Sequence, residues 1–268
     1  MSIFTNAPRL RDLCLLSPTE IYLPLDFSLP WLQLTKFEGA LHDLSLFTLA
    51  PNLREAICLF DPDDDSTVIT HPNLRSLTTQ EESGTDILEY LTLPALQHLA
   101  VSYLPSHDSL ADFLLRSSPP LISLSFVGDS YGTPFNSWGQ CLPSTLERLE
   151  IRDASADGLV DSSILNALPN LRTLIFNGVA GGLDFYFLVE YLYSRFKQLH
   201  TFKLVWENDP FLDAETYGGG PPWSGVRRND TISGHLTRLA QSGMNIYLGT
   251  HEKSYFPIGG AAIGRDFV

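Results

Sequence analysis

The chain has 268 residues and a formal net charge of −14, a balance that repels nucleic-acid phosphates and anionic membrane surfaces and so excludes both as partners. No run approaches the roughly 18 apolar residues of a membrane-spanning helix, and Met1 to Leu10 lacks the basic start and apolar stretch of a signal peptide. Three widely spaced cysteines, Cys14, Cys58 and Cys141, form no Cys-x-x-Cys pair; a reducing, cytoplasmic or nuclear location is expected, with the thiols packed as small apolar residues.

One phrase organises the chain from its start. It reads Pro8/Leu10/Leu13/Leu15, then Leu34/Phe37 behind Pro30, Pro51/Leu53/Ala56/Cys58, Pro72/Leu74/Leu77 and Pro94/Leu96/Leu99/Val101. It continues as Pro120/Leu121/Leu124/Phe126, Pro143/Leu146/Leu149/Ile151, Pro169/Leu171/Leu174/Phe176 and the proline-free Leu199/Phe202/Leu204. The steps between the first leucines are 24, 19, 21, 22, 25, 25, 25 and 28 residues, within the roughly 20 to 29 residue period of leucine-rich repeats. Leu-x-Leu and its variants carry the period-two alternation of a short strand with one buried face. Proline fixes the backbone just before it and lacks an N–H, which suits a connection leading into a strand. A single strand of this kind cannot bury its apolar face, whereas stacked neighbours share one core. The pattern predicts an α/β leucine-rich-repeat solenoid: a curved horseshoe with a parallel inner sheet and mixed helices and loops outside.

The returns between phrases vary. Ser106 to Ser118 predicts a helix with Leu110, Phe113 and Leu114 on one face. Shorter helices are expected over 85–91 and 161–168, capped by Thr85 and Asp161, and a longer one over 183–196 with Phe187, Val189, Tyr191 and Leu192 buried. Asp61 to Thr70 has no helical period and reads as a loop. Past Trp206 the pattern changes: 208–228, with Gly218-Gly-Gly-Pro-Pro-Trp223, reads as a long loop. Asn229 to Gly243 reads as a helix with Ile232, Leu236, Leu239 and Ala240 as its apolar face, and Asn245 to Leu248 as one more strand. Residues 1–205 are thus the repeats, about nine irregular units, and 206–268 a C-terminal capping region continuous with them.

Chemistry-bearing motifs are missing. No His-Glu-x-x-His, Gly-x-Ser-x-Gly, phosphate-binding or dinucleotide-binding glycine motif is present. The run Asp61-Pro-Asp-Asp-Asp65 has an EF-hand-like start, but Ser66 and Pro72 stand where that loop needs Gly and Glu, so a solvated acidic loop is expected. The seven histidines share no metal spacing, and the Asn229-Asp-Thr231 sequon is expected to be unused. No catalytic, cofactor-binding or metal residue is assigned, and the chain reads as a monomeric, non-catalytic protein-binding scaffold.

Side chains that alternate with the buried ones should line the open sheet face. The candidate partner-binding set is Lys36, Glu38, Glu55, Thr78, His98, Ser123, Ser125, Arg148, Glu150, Arg152, Thr173 and Lys203, accompanied by Asp12, Cys14, Ile57, Ser76, Ala100, Ile175 and Thr201. The competing reading is that these are solvated strand residues. Trp138, Trp206 and Trp223 read either as interface anchors or as core and cap residues.

The phrases at irregular steps, above all Phe4-Thr-Asn-Ala-Pro-Arg-Leu-Arg-Asp-Leu13 and Leu29-Pro-Trp-x-x-Leu-Thr-x-Phe37, resemble the leucine-rich repeat region of fungal F-box proteins. The resemblance covers nearly the whole chain through a degenerate motif. It implies a substrate-recognition role: in that family an N-terminal F-box docks on the Skp1-type adaptor of a cullin ubiquitin ligase, and the repeats hold the substrate. This chain begins inside a repeat with no F-box before Pro8, so adaptor binding is expected only if an F-box lies upstream. It also lacks the regular Asn or Cys after the strand, so irregular turns are expected. The alternative is a free-standing leucine-rich-repeat binding protein with no link to ubiquitination.

Overall fold

A computed structural model describes residues 7, 9–15, 29–41, 43–60, 67–80, 87–102, 107–127, 141–153, 168–179, 185–195, 197–207, 229–254 and 256. They fall into two units, Met1–Val127 with Asn136–Leu146, and Gly128–Phe135 with Glu147–Val268.

In the first unit each phrase forms a strand: β1 (Asp12–Cys14), β2 (Lys36–Leu41), β3 (Glu55–Phe60), then, past the short β4 (Ile69–Thr70), β5 (Ser76–Thr79), and past the short β6 (Leu91–Thr92), β7 (His98–Val101) and β8 (Ser123–Val127). Strands β1, β2, β3, β5, β7 and β8 pair in that order, all parallel. The phrases meet in register, so that Phe37, Ala56, Leu77, Leu99 and Leu124 form one row across the sheet. All five are buried, as are Leu53, Leu74, Leu96 and Leu121, the leucines that begin their phrases. Well-buried side chains of this size each contribute about 1.5–3 kcal/mol before entropy.

A backbone device fixes that register. The residue just before β1, β2, β3, β5 and β7 accepts two N–H groups from the next repeat through one carbonyl oxygen. Arg11 O takes Thr35 and Lys36 at 2.7 and 3.1 Å, Thr35 O takes Arg54 and Glu55, Arg54 O takes Arg75 and Ser76, Arg75 O takes Gln97 and His98, and Gln97 O takes Ile122 and Ser123. A carbonyl has two lone pairs, and these five repeats use both at the same place.

The turn before the strand repeats in most phrases, and Leu74 departs from it through a side chain. In most phrases the first leucine's N–H bonds to the carbonyl three residues back: Leu53 to Ala50, Leu96 to Leu93 and Leu146 to Pro143. At Leu74 the N–H instead donates to His71 Nδ1 at 3.0 Å. An Nδ1 that accepts leaves the proton on Nε2, which donates to Ala50 O at 3.1 Å. The imidazole is fully buried, meets Phe47 edge-on at 6.1 Å, and bridges two repeats.

The returns include one-turn 3-10 helices at Trp31–Gln33 and Ile87–Tyr90, the short α1 (Ser45–Leu49) and α2 (His107–Ser117). Helix α2 buries Leu110, Phe113 and Leu114 as its spacing predicts. Its C-terminal end is tied to the preceding return: Arg116 donates to Leu88 O at 2.6 Å and Leu91 O at 3.0 Å, and Ser117 Oγ accepts from Leu93 N at 3.0 Å. Two expectations need correction. Of the short helix expected over 85–91, the described residues form a 3-10 turn at Ile87–Tyr90 that runs into β6. The loop over 61–70 ends in β4, which pairs parallel with β6; two-residue strands are too short to show a period. The acidic run 61–66 lies outside the described residues.

Thr79 sits in the buried row beside Cys58, and its hydroxyl has no hydrogen-bond partner among the described residues. An unmet buried hydroxyl is unfavourable by about 1–3 kcal/mol, and valine has nearly the same shape. Thr79→Val is therefore expected to raise stability by about 1 kcal/mol, read as a higher denaturation midpoint at unchanged m-value; a lower midpoint would mean that the hydroxyl is satisfied.

The second unit holds β9 (Arg148–Arg152), β10 (Thr173–Val179), β11 (Thr201–Trp206) and β12 (Asn245–Thr250), paired in that order and all parallel. Two helices, α3 (Phe185–Arg195) and α4 (Asn229–Gln241), belong to its returns. The double-acceptor carbonyl recurs here, with Glu147 O taking Arg172 and Thr173 and Arg172 O taking His200 and Thr201. Leu149, Leu174, Phe202 and Ile246 form one buried row and Ile151, Phe176, Leu204 and Leu248 the next. In α3, Val189, Tyr191 and Leu192 are buried, and burial pushes the Tyr191 hydroxyl up to about 12. In α4, Leu236 and Leu239 are buried, and Gly243, at φ 99°, lies just past its C-terminal end. Trp206 is a core residue. Trp138, Trp223, the loop expected over 208–228 and nearly all of the helix expected over 161–168 lie outside the described residues.

Strand β10 carries a bulge at Asn177–Val179, where Gly178 takes φ +71° and a Cβ would stand 2.2 Å from Asp153 Oδ1. Of the three cysteines only Cys58 is buried; Cys14 is exposed and Cys141 intermediate. Cys14 sits on the open side of β1, which is why it does not pack as an apolar residue. Among the described residues no helix is long and apolar enough to cross a membrane.

Candidate functional site

The open sheet face is built by the alternation that fills the core. In the first unit, Asp12, Lys36, Glu55, Ser76, His98 and Ser123 form one row in register, and Cys14, Glu38, Ile57, Thr78, Ala100 and Ser125 form the next. None of the twelve is buried. In the second unit the rows are Arg148, Thr173, Thr201 and Asn245, then Glu150, Ile175, Lys203 and Tyr247, then Arg152 and Asn177 with the buried Val205 and Gly249. All twelve candidate residues therefore stand on open faces, seven in the first unit and five in the second, each beside another member of its row or flanking one.

Long and short side chains segregate on the first unit's face. At the β2–β3 side, Lys36 Nζ meets Glu55 Oε1 at 2.6 Å, directly across the register. The Glu55 carboxylate, by hydrogen bond and charge, raises the Lys36 pKa above its usual value. Both side chains are about 40% exposed, at 39% and 41%, so the pair orders the surface more than it stabilises the fold. The Cys14 thiol is raised, first by desolvation and then by hydrogen bonding to Glu38, which makes it a poor nucleophile. From β5 to β8 the face carries Ser76, Thr78, Ala100, Ser123 and Ser125, short side chains that leave the backbone approachable around the exposed ring of His98.

The second unit's face is cationic. Arg148 donates to Glu150 Oε2 at 2.7 Å, and Lys203 Nζ lies 5.3 Å from the centre of the Tyr247 ring. Arg148, Arg152 and Lys203 outnumber Glu150 there, although the whole chain is strongly acidic. Tyr247 also donates its hydroxyl to Thr250 O at 2.5 Å, and burial raises its pKa. Ile175 departs from the expected open position: it is 8% exposed, held in register between the long side chains of Glu150 and Lys203. Asn245 and Tyr247 belong to this face and were not among the expected residues; their alternation with Ile246 and Leu248 was the available signal.

Among the described residues no three of His, Cys, Asp and Glu stand close enough together to hold a metal ion. Comparison with known protein families, with curated proteins and with solved structures finds no match to this chain.

Proposed function

We propose that this protein is a leucine-rich-repeat solenoid, curved as a horseshoe, that acts as a non-catalytic protein-binding scaffold through its open sheet face. The supporting observation is the register: polar and small side chains from successive repeats stand in rows, a surface that offers hydrogen bonds and, across β5 to β8, projects only His98 among short side chains. The cationic side chains of the second unit favour an acidic stretch of the partner. The resemblance of the repeat phrases to fungal F-box proteins supports a narrower reading, in which the bound partner is a substrate for ubiquitination and a Skp1-type adaptor binds an F-box elsewhere in the protein.

A photo-crosslinking amino acid placed at Thr78 or Ser125 tests the face against the outside. Thr78 and Ser125 lie on the open face, whereas Leu115 on α2 is 80% exposed. A discrete protein adduct is expected from the two face positions and none from Leu115; adducts from Leu115 alone would place binding elsewhere. Adaptor and cullin recovered with the crosslinked complex would carry the ligase reading, and their absence with the adduct intact would leave a free-standing scaffold.

A further inference from the structure

Asn52, Asn73 and Ala95 occupy one repeat position, each directly after a phrase proline. The first two reach back one repeat: Asn52 Nδ2 donates to Leu32 O at 2.6 Å and Asn73 Nδ2 to Pro51 O at 2.9 Å. Ala95 has no amide with which to continue the ladder. Where it stops, a pocket of about 140 Å³ opens, lined by Asn52, Arg54, Asn73, Arg75 and Ala95.

The two arginines are adjacent in the sheet register, one residue before Glu55 and Ser76, and both are exposed. Like charges set side by side on neighbouring strands are unfavourable unless something offsets them. Among the described residues nothing does, because neither guanidinium makes an ion pair there. The same repeat position in the second unit shows the contrast, because Arg172 there stands 4.0 Å from the Glu147 carboxylate of the preceding repeat. On either side of Arg54 and Arg75 the corresponding residues are Thr35 and Gln97. In a chain of net charge −14, two neighbouring cations whose pocket is lined by no carboxylate are a site whose counter-ion comes from outside.

We infer that this pocket binds a phosphate-class oxyanion. Each planar guanidinium offers paired N–H donors that match the oxygens of such a group, and the asparagine amides that line the pocket each have a second N–H beyond the one given to the ladder. The surrounding negative charge works against diffuse anion binding, and uptake that Arg54→Gln or Arg75→Gln weakens reports this pocket rather than the cationic face of the second unit. The inference stands whether or not the sheet face docks a protein.

Calorimetric titration of the full chain with inorganic phosphate, and separately with O-phosphoserine, at fixed low ionic strength tests it. Saturable binding is expected, weakened about tenfold or more by Arg54→Gln or Arg75→Gln and left unchanged by Arg172→Gln. Ala95→Asn, which fills the pocket while keeping both arginines, is expected to weaken it as well. Without phosphate, melting temperatures should be no lower than the wild type for Arg54→Gln and Arg75→Gln, which remove a like-charge neighbour outside the core, and close to it for Arg172→Gln, which loses only an exposed ion pair. Tighter binding of phosphoserine than of phosphate identifies a phosphoryl group on a side chain as the ligand; equal binding identifies the free anion. Saturation by neither, or equal weakening by Arg172→Gln, would overturn the site.

Discussion

Leu174→Asp is expected to leave the second unit unfolded at neutral pH and 25 °C. Leu174 is fully buried, in register between Leu149 and Phe202, both also buried. The substitution removes the apolar contact of a core leucine, about 2–5 kcal/mol in cores of this kind. It also places a carboxylate where the row offers it no cation, a further penalty of several kcal/mol. Together these approach the whole stability of a typical domain, about 5–15 kcal/mol. Thr173→Asp, one residue earlier on the open face between Arg148 and Thr201, should change stability by no more than about 0.5 kcal/mol. Circular-dichroism melts of the two variants side by side check the register directly. If Leu174→Asp melted like the wild type while Thr173→Asp did not, the assignment of buried and open faces would be reversed. Acid should partly restore the Leu174→Asp variant, because burial raises the pKa of the new carboxyl and its neutral form is less unfavourable inside.

His71→Leu is expected to destabilise the first unit by about 2 kcal/mol, although leucine is apolar and the site is fully buried. Among the described residues the imidazole is the partner of the Leu74 N–H, and it adds a second bond to Ala50 O; leucine leaves the N–H unmet. Ala50 O keeps its bond from Leu53 N, which limits the loss. The same residue carries a pH dependence. Burial lowers the His71 pKa below its ordinary 6.5, because the charged ring would be desolvated and its Nδ1 would lose the ability to accept from Leu74. As pH falls below 6.5 the unfolded chain takes up this proton first, so stability is full above that pH and is lost as pH falls toward the folded-state pKa. Denaturant midpoints measured from about pH 7.5 to about pH 5 should fall less steeply in His71→Leu than in the wild type. Parallel slopes would show that His71 is not the responsible group.

Much of the sheet was legible because its information is local and repeated. A proline, a leucine and a Leu-x-Leu alternation specify a turn, a strand and a buried face within a single short phrase. Even Pro51/Leu53/Ala56/Cys58, with no second leucine, pairs in register, since Ala56 and Cys58 are small enough for the rows they share with Phe37, Leu77 and Thr79. Face residues follow from the same alternation, and Ile175 escaped it because exposure depends on neighbouring strands. What was not legible lies between repeats. The bridging role of His71 needs a carbonyl 21 residues away, and the asparagine ladder needs carbonyls at 20 and 22. The recurring Pro-Asn-Leu at 51–53 and 72–74 was a visible trace of that ladder, but only its hydrogen bonds distinguish it from an ordinary turn. The pairing of Arg54 with Arg75 is likewise a consequence of register, invisible along the chain.

The double-acceptor carbonyl that precedes most strands of the two units has an evolutionary consequence. It is made by backbone alone, and its holders in the two units are Arg11, Thr35, Arg54, Arg75, Gln97, Glu147 and Arg172: cationic, neutral and anionic residues serve equally. Register is therefore uncoupled from side-chain identity at that position, so mutations there are free to drift or to be selected without disturbing the stack. A position that most repeats present, and that the scaffold does not constrain, is where such a protein can acquire new ligand specificities one substitution at a time.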